Sequence, residues 1–169
     1  KYDGYNFTVY RHQYTNPQSI ACDISRCVTV DDSGRVWIGT REGLSLYNRN
    51  QDTFSNYVYK RNGYKVAVTC IAPMNEDYLM LGTANEILLF DINQGRILND
   101  TLPHPAHLLS ATAMVRQGDN IYIGAKEALY AYSLTKGTLE KLLDMPASVQ
   151  IHSIFCQMFS RIWIATEGE

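Results

Sequence analysis

Nine side chains in this sequence have the makings of a recognition surface: Arg11, His12, Tyr14, Arg41, Glu42, Arg61, Tyr64, His104 and His107. Tyrosine rings stack against sugar faces, while guanidinium, imidazole and carboxylate groups bond hydroxyls in planar arrays. Taken singly, each reads first as a solvated loop residue; the set is what matters. Two histidines in His104-Pro105-Ala106-His107 invite a metal reading, but no third ligand stands nearby in sequence, and no metal or cofactor is expected. Hydrolysis of a glycoside needs two carboxylates facing one another, and no such acidic pair is marked out. Cys22, Cys27, Cys70 and Cys156 are too few and too scattered for a disulfide scaffold and read as free thiols; a Cys22–Cys27 or Cys27–Cys70 bridge stays open.

Composition excludes several classes. With 15 basic and 17 acidic side chains, the net charge of −2 argues against a protein that holds nucleic acid by neutralising phosphates. No run approaches the ~18–20 apolar residues that cross a bilayer. The 46% hydrophobic content supplies a packed core. Lys1 begins directly in a strand-like pattern, so the expectation is a chain whose leader was removed or a piece excised from something longer. Tyrosine makes up 12 of the 19 aromatics, and turn residues are spread along the chain, as many short strands would require.

The elements that carry these residues follow from a repeat. Trp37-Ile38-Gly39-Thr40, Met80-Leu81-Gly82-Thr83, Tyr122-Ile123-Gly124-Ala125 and Trp163-Ile164-Ala165-Thr166 start 43, 42 and 41 residues apart. Ten positions after the first residue stand Tyr47, Phe90 and Tyr132; seventeen after it stand Phe54, Ile97 and Leu139. Cys27, Cys70, Thr112 and Ser153 share a column of small side chains. Each unit holds four short apolar blocks, predicted in the second as strands at Ala67–Pro73, Tyr78–Gly82, Ile87–Asp91 and Ile97–Leu102, separated by turn-forming residues.

Four antiparallel strands per repeat of about 43 residues predict an all-β fold, a β-propeller fragment. Phase sets the count: three full blades (24–59, 66–102 and 109–143), the last strand of a preceding blade at 1–11, and the first two strands of the next at 149–166. Unbroken apolar second strands imply sheets covered on both faces. Gly39, Gly82, Gly124 and Ala165 then mark a close approach between sheets. Trp37 and Trp163, sharing one column, are expected in the core between blades rather than on a stacking platform. Loops joining second to third strands and one blade to the next share one face, which gathers the candidate residues; the 11–19 loop is the foremost binding segment. Open blade faces at both ends are expected to meet the rest of a propeller or another copy.

The pattern Asp31-x-x-Gly34-x-x-Trp37-Ile38-Gly39-Thr40-x-x-Gly43-Leu44-x-x-Tyr47, followed by Phe54 and Tyr57, resembles the two-component regulator propeller repeat. The opening Tyr2–Tyr10 segment resembles the first blade of that family's sensors. The resemblance covers the whole chain, although Glu86 replaces the family's glycine in the second unit. It implies the periplasmic sensing region of a hybrid two-component system. There a carbohydrate or other extracellular signal biases a receptor that reaches a histidine kinase across the membrane. Nothing in the chain carries phosphotransfer signatures, so it is not expected to be an enzyme. Asp32-Ser33-Gly34-Arg35-Val36-Trp37 also resembles part of the Asp-box turn of sialidases, which is a structural turn. A protein-interaction scaffold without a small ligand is the principal alternative, and a glycoside hydrolase fragment the lesser one.

Overall fold

Short apolar blocks bounded by turn residues become strands throughout the computed structural model, which describes all residues except 99–101, 103–108, 158–160 and 168–169. No helix occurs among the described residues. β1 (Ser25–Val30), β2 (Val36–Thr40), β3 (Gly43–Asn48) and β4 (Thr53–Tyr57) pair in chain order as an antiparallel sheet. A two-stranded hairpin, β5 (Lys60–Arg61) and β6 (Tyr64–Lys65), follows. The second sheet comprises β7 (Cys70–Pro73), β8 (Tyr78–Gly82), β9 (Ile87–Asp91) and β10 (Arg96–Leu98). The third comprises β11 (Ala111–Gln117), β12 (Asn120–Ala125), β13 (Ala128–Ser133) and β14 (Thr138–Asp144). β15 (Gln150–Gln157) and β16 (Arg161–Glu167) form a terminal hairpin. This architecture is consistent with propeller blades.

Register explains the repeat spacings. The aromatic of each third strand stands directly opposite the apolar residue of each fourth strand: Tyr47 with Phe54, Phe90 with Ile97, Tyr132 with Leu139. These cross-strand pairs are the local unit of sheet stability, so the columns are fixed by pairing. An isolated bridge joins Tyr2 to Phe7, with the rings stacked at 4.7 Å. A register shift recurs in the first strand of three units, between Ser25 and Cys27, Ala111 and Ala113, and Ile151 and Ser153.

Each interface between successive sheets holds its own apolar core. Trp37 and Leu44 pack against Ile71, Leu79, Leu81 and Phe90. Cys70, Met80 and Ile87 meet Ala111, Ile121 and Ile123. Ala113 and Leu129 meet Ile151 and Ile154. A Cβ on Gly39 would lie 2.4 Å from the Cys27 sulfur and 2.9 Å from the Val68 carbonyl oxygen, which accounts for the glycine.

At one end of the sheets, polar ties fasten neighbours. Asp31, buried in the β1–β2 turn, accepts hydrogen bonds from the Ser33 and Arg35 amides, from Arg35 Nε at 2.6 Å and from the Trp37 indole at 2.8 Å. Arg35 also donates to the Glu76 carbonyl of the second sheet. Arg116 of the third sheet reaches Asp32 of the first at 2.8 Å.

One sequence expectation needs correction. The first sheet is covered on one face only, as expected of an end blade: Val28 is 68% exposed and Val30 58%. Trp163 is not core; it is 57% exposed beside an exposed Phe155, whereas Trp37 is 0% exposed. The reason is that the sheet of Phe90 and Leu79 covers Trp37, while no described sheet stands against β16.

Candidate functional site

The candidate face is built from three kinds of loop. The 11–19 loop is anchored by its own polar residues. Ser19 Oγ accepts from the Gln13 amide at 2.9 Å and donates to the Asn16 carbonyl at 2.8 Å. Asn56 of β4 donates to the Pro17 and Ser19 carbonyls, and the Phe54 amide donates to the Gln18 carbonyl. Within this loop the His12 amide donates to Asp23 at 2.6 Å. His12 Nδ1 lies 2.8 Å from the Ile20 carbonyl, which can only accept, so that nitrogen carries a proton. The ring of Tyr14 stands edge-on to His12 at 4.8 Å and is 97% exposed. Arg11 is exposed.

The second contributor is a Thr-closed turn used twice. Thr40 Oγ1 donates to the Gly43 carbonyl and Thr83 Oγ1 to the Glu86 carbonyl, closing the β2–β3 and β8–β9 turns. The first turn presents Arg41 and Glu42. In the second, the departure from glycine supplies the Glu86 carboxylate.

The third is the β5–β6 hairpin, turned by Asn62 and Gly63, whose φ angles of 51° and 82° suit an Asn-Gly two-residue turn. Lys65 donates to Glu42 at 2.5 Å, and Arg61 pairs with Glu86 at 2.6 Å. The hairpin is thereby tied to the turns of two adjacent sheets. The Lys65 ammonium, with His12 and Arg41 also in range, holds the Glu42 carboxyl below the usual carboxylate range. Tyr64 is 81% exposed. A cleft of about 270 Å³ between the two sheets is lined by Gly43, Tyr57, Tyr59, Val66, Phe90 and Arg96, among others.

The structure thus brings together His12, Tyr14, Arg41 and Glu42, and connects Arg61 and Tyr64 to them through Lys65. His104 and His107 lie outside the described residues. Sequence reading passed over Lys65 and the hairpin itself; Asn62-Gly63 was the available signal. Among the described residues no group of three or more His, Cys, Asp or Glu is placed to hold a metal ion. All four cysteines are free thiols. No helix among the described residues is long and apolar enough to cross a membrane.

No family model matches the chain, and no curated protein matches it. Among solved structures it is similar to the extracellular domain of the putative hybrid two component system BT4673 from B. thetaiotaomicron. That match has 22% identity and a TM-score of 0.70 over 94% of this chain and 20% of that one. It is also similar to the extracellular domain of BT3049, a putative hybrid two component system of the same organism. There the identity is 19% and the TM-score 0.73, over 95% of this chain and 22% of that one. PorZ, a surface component of the type-IX secretion system of Porphyromonas gingivalis, is similar at 17% identity and a TM-score of 0.57. It aligns over 85% of this chain and 20% of its own length. The chain therefore spans about a fifth of these structures.

Proposed function

We propose that this chain is a ligand-sensing stretch of β-propeller from the periplasmic part of a hybrid two-component receptor. In this reading 24–59, 66–102 and 109–143 are full blades, 1–11 closes a preceding blade and 149–166 opens the next. The loop face carrying His12, Tyr14, Arg41, Glu42, Arg61 and Tyr64 recognises an oligosaccharide signal, and the receptor relays it to a downstream histidine kinase. Relay requires the signal to bind one receptor geometry more tightly than another. The fragment itself performs no chemistry. The observation that carries the reading is the similarity, over nearly the whole chain, to extracellular domains of two such systems.

The test is calorimetric titration of the full chain with a panel of oligosaccharides. Saturable heat with one glycan class, lost in Tyr64→Ala or Tyr14→Ala with the fold intact, supports the reading. Absence of heat with every glycan, or release of cleaved product, overturns it. A second reading is favoured by the exposed apolar faces at Val28 and Trp163: a scaffold that associates through them, with the rest of a longer propeller or with another copy, and binds no sugar.

A further inference from the structure

In the first sheet Cys27 stands opposite Gly39, in the second Cys70 opposite Gly82, in the third Ala113 opposite Gly124, and in the terminal hairpin Ser153 opposite Ala165. The residues just before these are Arg26, Thr69, Thr112 and His152. Three of the four fall inside the register shifts of β1, β11 and β15. An unpaired residue of this kind re-aims its side chain away from the regular ladder, a device common beside binding sites. Successive first strands are neighbours, and all four residues line one cavity of about 240 Å³. The Arg41 amide donates to the Ile24 carbonyl, so the shift in the first sheet lies at the end that carries the candidate loops.

Hydrogen-bonding capacity around this cavity is lopsided. Thr69 Oγ1 donates to the Ala111 carbonyl at 2.9 Å, and Thr112 Oγ1 to the Gly124 carbonyl at 3.1 Å. Each hydroxyl has a single hydrogen, so what remains to it is lone pairs that accept. His152 Nε2 donates to the Glu167 carboxylate at 2.7 Å, which leaves Nδ1 of the neutral ring as an acceptor. Of the four, Arg26 offers donors, and among the described residues no ion pair takes them up. An oxyanion drawn in by Arg26 would meet threonine oxygens with no hydrogen left to give. A sugar hydroxyl, by contrast, donates and accepts at once. We infer that this cavity between the first strands holds one ring of a neutral oligosaccharide, whose hydroxyls donate to Thr69 and Thr112 and accept from Arg26. Sites that engulf a whole ligand run to about 300–1,000 Å³, so one ring enters here and the rest of the glycan stays outside. This inference rests on the sensing role proposed above and names both the ligand class and a site for it.

The experiment compares neutral galactotetraose, mannotetraose and xylotetraose with tetragalacturonate against the full chain by calorimetry. One neutral glycan is expected to bind about tenfold more tightly than the uronate. Raising NaCl from 20 to 200 mM leaves that binding unchanged, because no ligand charge is there to be screened. Thr112→Val keeps the side-chain shape and removes the acceptor. It and Arg26→Ala should each weaken the neutral glycan about tenfold while circular dichroism stays unchanged, and Thr112→Ser, which keeps the hydroxyl, should bind like the parent. Binding abolished by Tyr64→Ala but untouched by Thr112→Val and Arg26→Ala overturns the cavity as the site and leaves the sensing role standing. Tighter binding of the uronate, weakened by salt, overturns the neutral class and likewise leaves that role. No saturable heat with any of the four overturns both.

Discussion

Asp31 shows how much of the molecule depends on single side chains. Its carboxylate is almost fully buried, yet it receives two amides, a guanidinium and an indole. Burial alone would raise its pKa; the Trp37 and Arg35 donors outweigh that and hold it below the usual carboxylate range. Replacing it with alanine leaves those donors facing an apolar gap, a loss expected to be about 3 kcal/mol. A carboxyl group held low in the folded state stabilises it above the ordinary carboxylate value, near ~3.9. That contribution fades as the pH falls from there through the lowered folded value. Urea midpoints of the parent and Asp31→Ala should therefore differ most at neutral pH and draw together as the pH falls below the ordinary carboxylate value. Thiols offer a second check on packing. Burial pushes the Cys70 thiol up to about 12 and Cys27 up to about 11. At pH 8, iodoacetamide followed by mass spectrometry should label Cys22 well before either, because the thiolate is the reacting form. Labelling of Cys70 as fast as Cys22 would contradict the tight first strands.

Strands and hairpins were legible in the sequence to different degrees, for physical reasons. The predicted strands at Tyr78–Gly82 and Ile87–Asp91 match β8 and β9 because pairing fixes both the repeat column and the strand. The first predicted strand starts later, at Cys70: the Val68 amide bonds the Thr40 carbonyl of the first sheet, and only from Thr69, which donates to the Gly82 carbonyl of β8, does the segment bond within its own sheet. The β5–β6 hairpin has the sequence of a loop: its charged strands carry no alternating apolar residues, so only the Asn62-Gly63 pair announces it. Two-residue strands are marginal alone. The hairpin is held by two partly exposed ion pairs of about 0.2–1 kcal/mol each. Glu86→Gln should accordingly speed amide exchange within 60–66 by up to about fivefold and leave β8 unchanged, as hydrogen-exchange mass spectrometry would read. Equal acceleration in both segments would mean that Glu86 supports the sheet rather than the hairpin.

At the scale of the whole molecule, the same repeat that covers Trp37 leaves Trp163 bare. Ile71, Leu79 and Leu81 form the surface against which Trp37 packs. One repeat earlier, Val28, Val36 and Ile38 form the equivalent surface of the first sheet, on a hollow of about 1020 Å³ reached by Phe7 and Tyr10. The two open faces are therefore complementary halves of one kind of interface, and no single-strand pattern could reveal which half lacks its cover. Head-to-tail contacts of this sort do not close by two-fold symmetry, so association should add copies progressively. Sedimentation velocity of the 169-residue chain is expected to show mass rising with concentration. Either Trp163→Glu or Val28→Glu alone should return it to monomer, and combining the two should add nothing, because each spoils the same contact. If both variants sediment like the parent, the faces are not partners; if the parent is monomeric at every concentration, the apolar area at Phe155 and Trp163 is too small to hold a second copy.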